Sequence, residues 1–227
     1  MQRIQAHGRD WVFTAADFLD LGRRDAVDQA LHRLSDGLTP DIRRVGWGLY
    51  DYPRRDLDGT APDPAAEAIV RAIQRRDGHR MERSGAHHAH EFGLADPPPW
   101  KIWLTDGSHR YFKHLGPDRV RRVSEPFLEL RHAPRRTMVW AGRPGAPIVL
   151  AMMWMGKDRA GEVAQHLRKS EHVTQAARDD VARHLRHAPG WMRDYLIVIS
   201  GERQSRRRKR VPHTDSGPAQ LAGRSFG

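Results

Sequence analysis

Residues 11–52 restrict the fold more than any other part of the chain, because breakers cut them into short pieces of definite kind. Trp11-Val12-Phe13 reads as a short strand. Thr14 follows as a helix N-cap, its hydroxyl able to accept a hydrogen bond from an orphan amide of the first turn, and Asp17 stands in the reciprocal capping position. The short helix so opened puts Ala15, Phe18 and Leu19 on one face and ends at Leu21-Gly22, since glycine takes positive φ at little cost. Val27, Ala30, Leu31 and Leu34 then recur at i, i+3, i+4 and i+7, the apolar stripe of a second helix that Gly37 stops. Residues 42–45 and 49–52 flank Gly46-Trp47-Gly48, the pattern of a hairpin with a glycine-rich turn.

Helix, tight turn, helix and hairpin, in that order, make a winged helix-turn-helix, which lays its second helix in a DNA major groove. At about 100° per residue, the face opposite the apolar stripe carries Asp25, Asp28, Gln29 and His32, with Arg24 and Arg33 at its margins. Gln29 is the expected base reader, because an amide can bond adenine bidentately. Arg24, Arg33, Arg43 and Arg44 suit phosphate oxygens, and Trp47 stands at the wing tip. The competing reading is bland: any solvated helix carries polar residues on its outer face.

The formal charge of +11 and pI near 10.8 point to a polyanionic partner, nucleic acid or acidic protein. The charge is unevenly placed. Lys and Arg stand 7 against 8 Asp and Glu in residues 1–53, 7 against 8 in 54–100, 18 against 10 in 101–200, and 7 against 2 in 201–227. The N-terminal module must therefore act through local placement of its arginines. The absence of cysteine excludes disulfides, thiolate zinc sites and cysteine nucleophiles, and fits a cytoplasmic chain. The longest apolar run, residues 148–155, is too short to span a membrane, and the first residues lack the apolar core of a signal peptide.

Residues 1–7 predict one short helix with Ile4 inward, closed by Gly8. Residues 53–64 (PRRDLDGTAPDP) have linker composition, and Ala65, Ala68, Ile69, Ala72 and Ile73 then form an amphipathic helix ending at Gly78. KIWLT at 101–105 and Tyr111-Phe112 predict two strands joined as a hairpin through Asp106-Gly107, with a third strand at 127–130. Residues 147–155, 161–169 and 174–187 predict helices. From Gly201 the chain holds Arg203, then Arg206, Arg207, Arg208, Lys209 and Arg210, followed by Ser, Pro and Gly with little to bury. This is a disordered basic tail in expectation, either a salt-sensitive grip on nucleic acid or a solubilising extension.

No catalytic site assembles from these residues. Gly107-Ser108 lacks a downstream Asp-x-Asp, the one such pair, Asp56 and Asp58, lies in the linker, and neither a Walker A loop nor a G-x-S-x-G elbow occurs. Asp179 and Asp180 are helix neighbours about 100° apart, a disposition for solvated carboxylates rather than a catalytic pair. His87, His88, His90 and Glu91 lack the i, i+4 histidine pair of zinc hydrolases, so neither metal nor cofactor is expected.

DWVFTAADFLDLG, RRDAVDQALHRL and IRRVGWGLYDYPRR, followed in order by SGAHHAHEFGL, WLTDG, LELRHAPRR, AGRPG and HAPGWM, resemble the AbiEi-type antitoxins of type IV toxin-antitoxin systems over most of residues 1–195. The resemblance implies a winged-helix domain that binds operator DNA and represses its own operon. It also implies a second domain that counteracts a nucleotidyltransferase-type toxin without a stable complex. Carried onto this chain, the DNA-facing positions are Arg24, Gln29 and Arg33, with Arg43 and Arg44 on the wing. Trp47 at the wing tip, Arg23 where a Ser cap is natural, and the arginine-rich tail depart from that pattern.

The expected fold is thus α+β: a winged helix-turn-helix over 1–56, a linker over 57–64, a mixed α/β domain over 65–200 and the basic tail over 201–227. A non-enzymatic autorepressor and antitoxin is the expected function, with a homodimer expected because operators are often palindromic. Two rivals stand beside it. One is direct protein neutralisation of a toxin by the basic 101–200 region. The other is RNA binding through that region with Trp100, Trp103 and Tyr111 as stacking surfaces, although aromatics at such strand positions more often serve a core.

Overall fold

The computed structural model describes residues 1–36, 41–57, 59–112 and 127–201. Gly37, Asp58 and the run Arg206, Arg207, Arg208, Lys209 and Arg210, to which the sequence assigned a helix stop, half of an Asp-x-Asp pair and a basic tail, lie outside the described residues.

The chain opens with helix α1 (Gln2–His7), strand β1 (Val12–Phe13), a 3-10 turn (Ala15–Phe18), helix α2 (Arg24–Ser35) and the strands β2 (Arg43–Gly46) and β3 (Leu49–Asp51). Thr14 and Asp17 form the reciprocal capping box, the Thr14 hydroxyl accepting from the Ala16 amide and the Asp17 carboxylate accepting from the Thr14 amide at 2.8 Å. The element they open is wound as a 3-10 turn, and this changes its buried face. With three residues per turn, Ala15 and Phe18 eclipse and go inward, while Leu19, expected on that face, is exposed.

The three strands form an antiparallel sheet in the order β1-β3-β2, and both of its faces are covered. Because neighbouring residues of a strand point to opposite sides, Phe13 and Tyr50 pack with Ile4, Phe18, Val27 and Leu31 of the N-terminal helices. Val12, Leu49 and Val45 face the other way, onto helix α3 (Ala66–Asp77) with its Ile69, Val70 and Ile73. Phe112, Leu128 and Leu130 of the second sheet belong to that same apolar cluster. One apolar cluster therefore has members on both sides of the expected boundary at residues 56–65. The intervening segment is pinned as well: Arg43 donates to the carbonyls of Ala61 at 2.9 Å and Pro62 at 2.7 Å.

Beyond α3 come β4 (Met81–Arg83), α4 (Gly85–Glu91), β5 (Lys101–Thr105), β6 (Arg110–Phe112) and β7 (Leu128–His132). The sheet order is β4-β5-β7-β6, with β5 and β7 parallel and the other pairs antiparallel. This corrects the expected β5-β6 hairpin, since β7 lies between them. Leu128 and Leu130 are fully buried and take the interior position, whereas Arg110 and Tyr111 are exposed and suit an edge.

The remainder is helical: α5 (Arg135–Met138), α6 (Ala146–Met155), α7 (Ala160–Lys169), α8 (Gln175–Arg183) and α9 (Arg193–Ser200). Helix α6 is apolar all round, and Ile148, Val149, Leu150, Ala151 and Met152 are all buried at the centre of this layer. Arg178 joins two helix ends, donating to the carbonyls of Ile199 at 2.5 Å and Arg168 at 3.1 Å, acceptors that have no partner within their own helices. Asp180, expected to be solvated, is buried instead. It accepts from the Gly145 amide at 3.1 Å and lies 3.0 Å from His184 Nδ1, so it ties α8 to the start of α6. Among the described residues no helix is long and apolar enough to cross a membrane.

Candidate nucleic-acid interface

Helix α2 buries Val27 and Leu31, and this orientation decides what its other face presents. Gln29, His32 and Arg33 are exposed, and among the described residues neither Gln29 nor Arg33 has a side-chain hydrogen-bond partner. Arg24, also exposed, donates to Asp28 at 2.7 Å across one helical turn. A solvent-exposed i, i+4 pair contributes only a few tenths of a kcal/mol, about 0.3–0.5, so a phosphate can draw Arg24 away at small cost.

The β2-β3 hairpin places its residues unequally. Arg44 is exposed and makes only a long contact of 3.5 Å with the Gly46 carbonyl. Trp47, at the tip, is 90% exposed. Arg43, expected to meet phosphate, is a structural residue: its guanidinium forks onto the buried Asp51 at 2.6 and 3.2 Å while also holding the Ala61 and Pro62 carbonyls. Burial pushes the Asp51 carboxyl above its usual range, and the Arg43 guanidinium pulls it back. That arginine therefore leaves the candidate set, because moving it would strand a buried carboxylate.

The start of α2 and the β2-β3 hairpin open onto one groove of about 1110 Å³. Arg24 and Asp28 line one wall, Arg44 and Trp47 another, and the third is built by Arg76 and Asp77 at the end of α3 with His109 just before β6 and Arg110 and Tyr111 on it. The hairpin wall and the α3-β6 wall are held against each other. Arg76 donates to the Trp47 carbonyl at 3.2 Å, and a Cβ built on Gly46 would stand 3.0 Å from the Phe112 ring, so the hairpin and β6 are in close contact. Sequence reading offered Tyr111 only as a stacking residue for RNA and did not single out Arg76 or Arg110. No local pattern signals that residues so far apart in the chain share a wall. Trp100 and Trp103 are half-buried: the Trp100 indole donates to Glu129 at 2.9 Å, and the Arg83 guanidinium lies 5.9 Å from the Trp103 ring centre.

The histidine-rich helix α4 has internal partners. His87 Nδ1 is 3.1 Å from the Ser84 hydroxyl, and His88 lies between Glu91 at 3.1 Å and Glu82 at 3.5 Å. Among the described residues no group of three or more His, Cys, Asp or Glu is disposed to hold a metal ion.

The molecule is an α+β protein in which a small N-terminal sheet is clamped to a second, mixed sheet, with an exposed basic and aromatic surface beside the joint. The chain belongs to the family of unknown function DUF6088, whose profile matches residues 1–175 and so runs through both sheets. No curated protein and no solved structure matches it.

Proposed function

We propose that the chain is a sequence-specific DNA-binding autorepressor whose N-terminal module is a winged helix-turn-helix. One observation carries the reading: α2 buries Val27 and Leu31, exposes Gln29, His32 and Arg33, and shares a groove with a wing that bears Arg44 and Trp47. The element order of helix, strand, turn, helix and hairpin, with the sheet order β1-β3-β2, agrees with it. In this reading α2 lies in the major groove, Gln29 meets a base edge, and Arg24, Arg33 and Arg44 meet phosphates. The antitoxin role, acting in the cytoplasm against a nucleotidyltransferase-type toxin, rests on the resemblance of the sequence blocks and is proposed with it.

A gel shift on the protein's own upstream region, against random duplex of equal length, tests the proposal. Gln29→Ala should relax sequence preference, costing about 1–3 kcal/mol on the preferred site, whereas Arg33→Ala should weaken all sequences alike and lower the salt slope by about 1. Equal affinity of the wild type for both duplexes at physiological salt removes the repressor claim. Expression together with the neighbouring gene tests the antitoxin role, through rescue of growth.

A further inference from the structure

We infer that the second sheet takes part in holding nucleic acid: the groove between the wing and edge strand β6 seats the sugar-phosphate backbone of the duplex that α2 reads. The inference rests on the DNA-binding reading above and extends its footprint beyond residue 56.

The charges in the groove favour a polyanion. Its lining holds Arg24, Arg44, Arg76 and Arg110 against Asp28 and Asp77. Asp77 is already taken by Arg76, bidentate at 2.6 and 2.8 Å, and Arg110 reaches it only at 3.5 Å. Arg110 is thus the outer, weakly held cation of that trio, and its side chain is well exposed. Arg44 across the groove has no carboxylate among the described residues. Two large rings face water beside these cations, Trp47 at 90% and Tyr111 at 59% exposure. Each carries one hydrogen-bond donor, an indole N–H or a phenol O–H, of the kind that meets phosphate oxygens. Two exposed rings clustered with the unpaired Arg44 and the weakly held Arg110 fit a surface that receives an occupant, because a ring left in water contributes nothing to folding. The occupant must reach α2 and β6 at once. The close packing of the hairpin on Phe112 and the Arg76 bond to Trp47 fix the hairpin against β6 and the end of α3.

The test measures affinity and salt dependence of the full chain and of Arg110→Ala, Tyr111→Ala, Arg110→Lys and Arg44→Ala. The probes are the upstream duplex, a scrambled duplex and a single-stranded RNA of equal length. Thermal unfolding checks that each variant is folded. Arg110→Ala should weaken both duplexes roughly tenfold and lower the salt slope by about 1, Tyr111→Ala should weaken both, and Arg110→Lys should keep the slope. Unchanged affinity and slope in Arg110→Ala and Tyr111→Ala, with Arg44→Ala impaired, overturn this inference and leave the DNA-binding reading standing. Loss in Arg110→Ala on both duplexes, with no wild-type preference between them, supports the inference and defeats the repressor. Loss confined to RNA overturns the duplex assignment.

Discussion

Arg43 and Asp51 show how one residue changes role once its neighbours are known. The Asp51 carboxylate is 1% exposed, and the arginine fork is its ion-pair partner. Arg43→Ala should cost about 3–5 kcal/mol in urea unfolding, because removing one member of a buried pair strands the other. Arg43→Met combined with Asp51→Leu should recover most of that loss, a result that would separate the cost of a stranded charge from the net worth of the pair. His87 makes a second prediction at this scale. Burial, then Lys101 and Arg83, push its pKa down to about 4, so the ring is neutral in the folded chain. Below the ordinary histidine value of about 6.5 the unfolded chain binds a proton that the folded chain refuses, and stability must fall as pH drops from there towards 4. His87→Gln should flatten the plot of unfolding free energy against pH in that window by up to about one proton's worth of slope. Residue identity alone could not reveal either role: an arginine on a hairpin and a histidine in a histidine-rich run are surface types until packing places them.

At the scale of elements, the crossing of α4 and α6 depends on Gly85. A Cβ there would overlap the Leu150 carbonyl oxygen and stand 2.7 Å from Trp154 Cβ, and backbone oxygen cannot swing aside. Gly85→Ala should therefore lower stability by about 1–3 kcal/mol or more, measured by denaturant midpoint, although alanine is the better helix former by nearly 1 kcal/mol in isolation. Elements with local causes were legible in sequence. The Thr14-Asp17 box, the α2 stripe of Val27 and Leu31 and the α3 stripe of Ile69 and Ile73 all follow from spacing and capping. The place of β6 was not, because Asp106-Gly107 is as good a hairpin signal as any and only the burial of Leu128 and Leu130 inserts β7 between β5 and β6. Nor did any periodic pattern announce β4, only three residues long, or the short helix α5.

For the whole molecule, the shared core makes a thermodynamic claim. Leu49 lies on the N-terminal sheet yet packs in the cluster that contains Ile69, Phe112 and Leu128. Leu49→Ala should cost about 2–5 kcal/mol and shift one cooperative transition. Calorimetry of that variant should show a single endotherm, and two resolved endotherms would mean that the N-terminal module melts independently. Coupling of this kind has a use in the proposed function, since a hairpin packed on the second sheet presents Arg44 and β6 to a ligand as one surface.

What the sequence determined unaided is whatever depends on neighbours a few residues away: the capping box, the stripe that turns Gln29 outward, the glycine turn that exposes Trp47, and the lack of cysteine chemistry. Tertiary structure alone decided the identity of the buried ion pair, the order of strands in the second sheet and the meeting of Arg44 with Arg110 across one groove. The physical reason is range. Capping and periodicity act through bonds closed within a turn, whereas strand order and charge pairing are settled by which apolar faces exclude water together, and that depends on residues far apart in the chain.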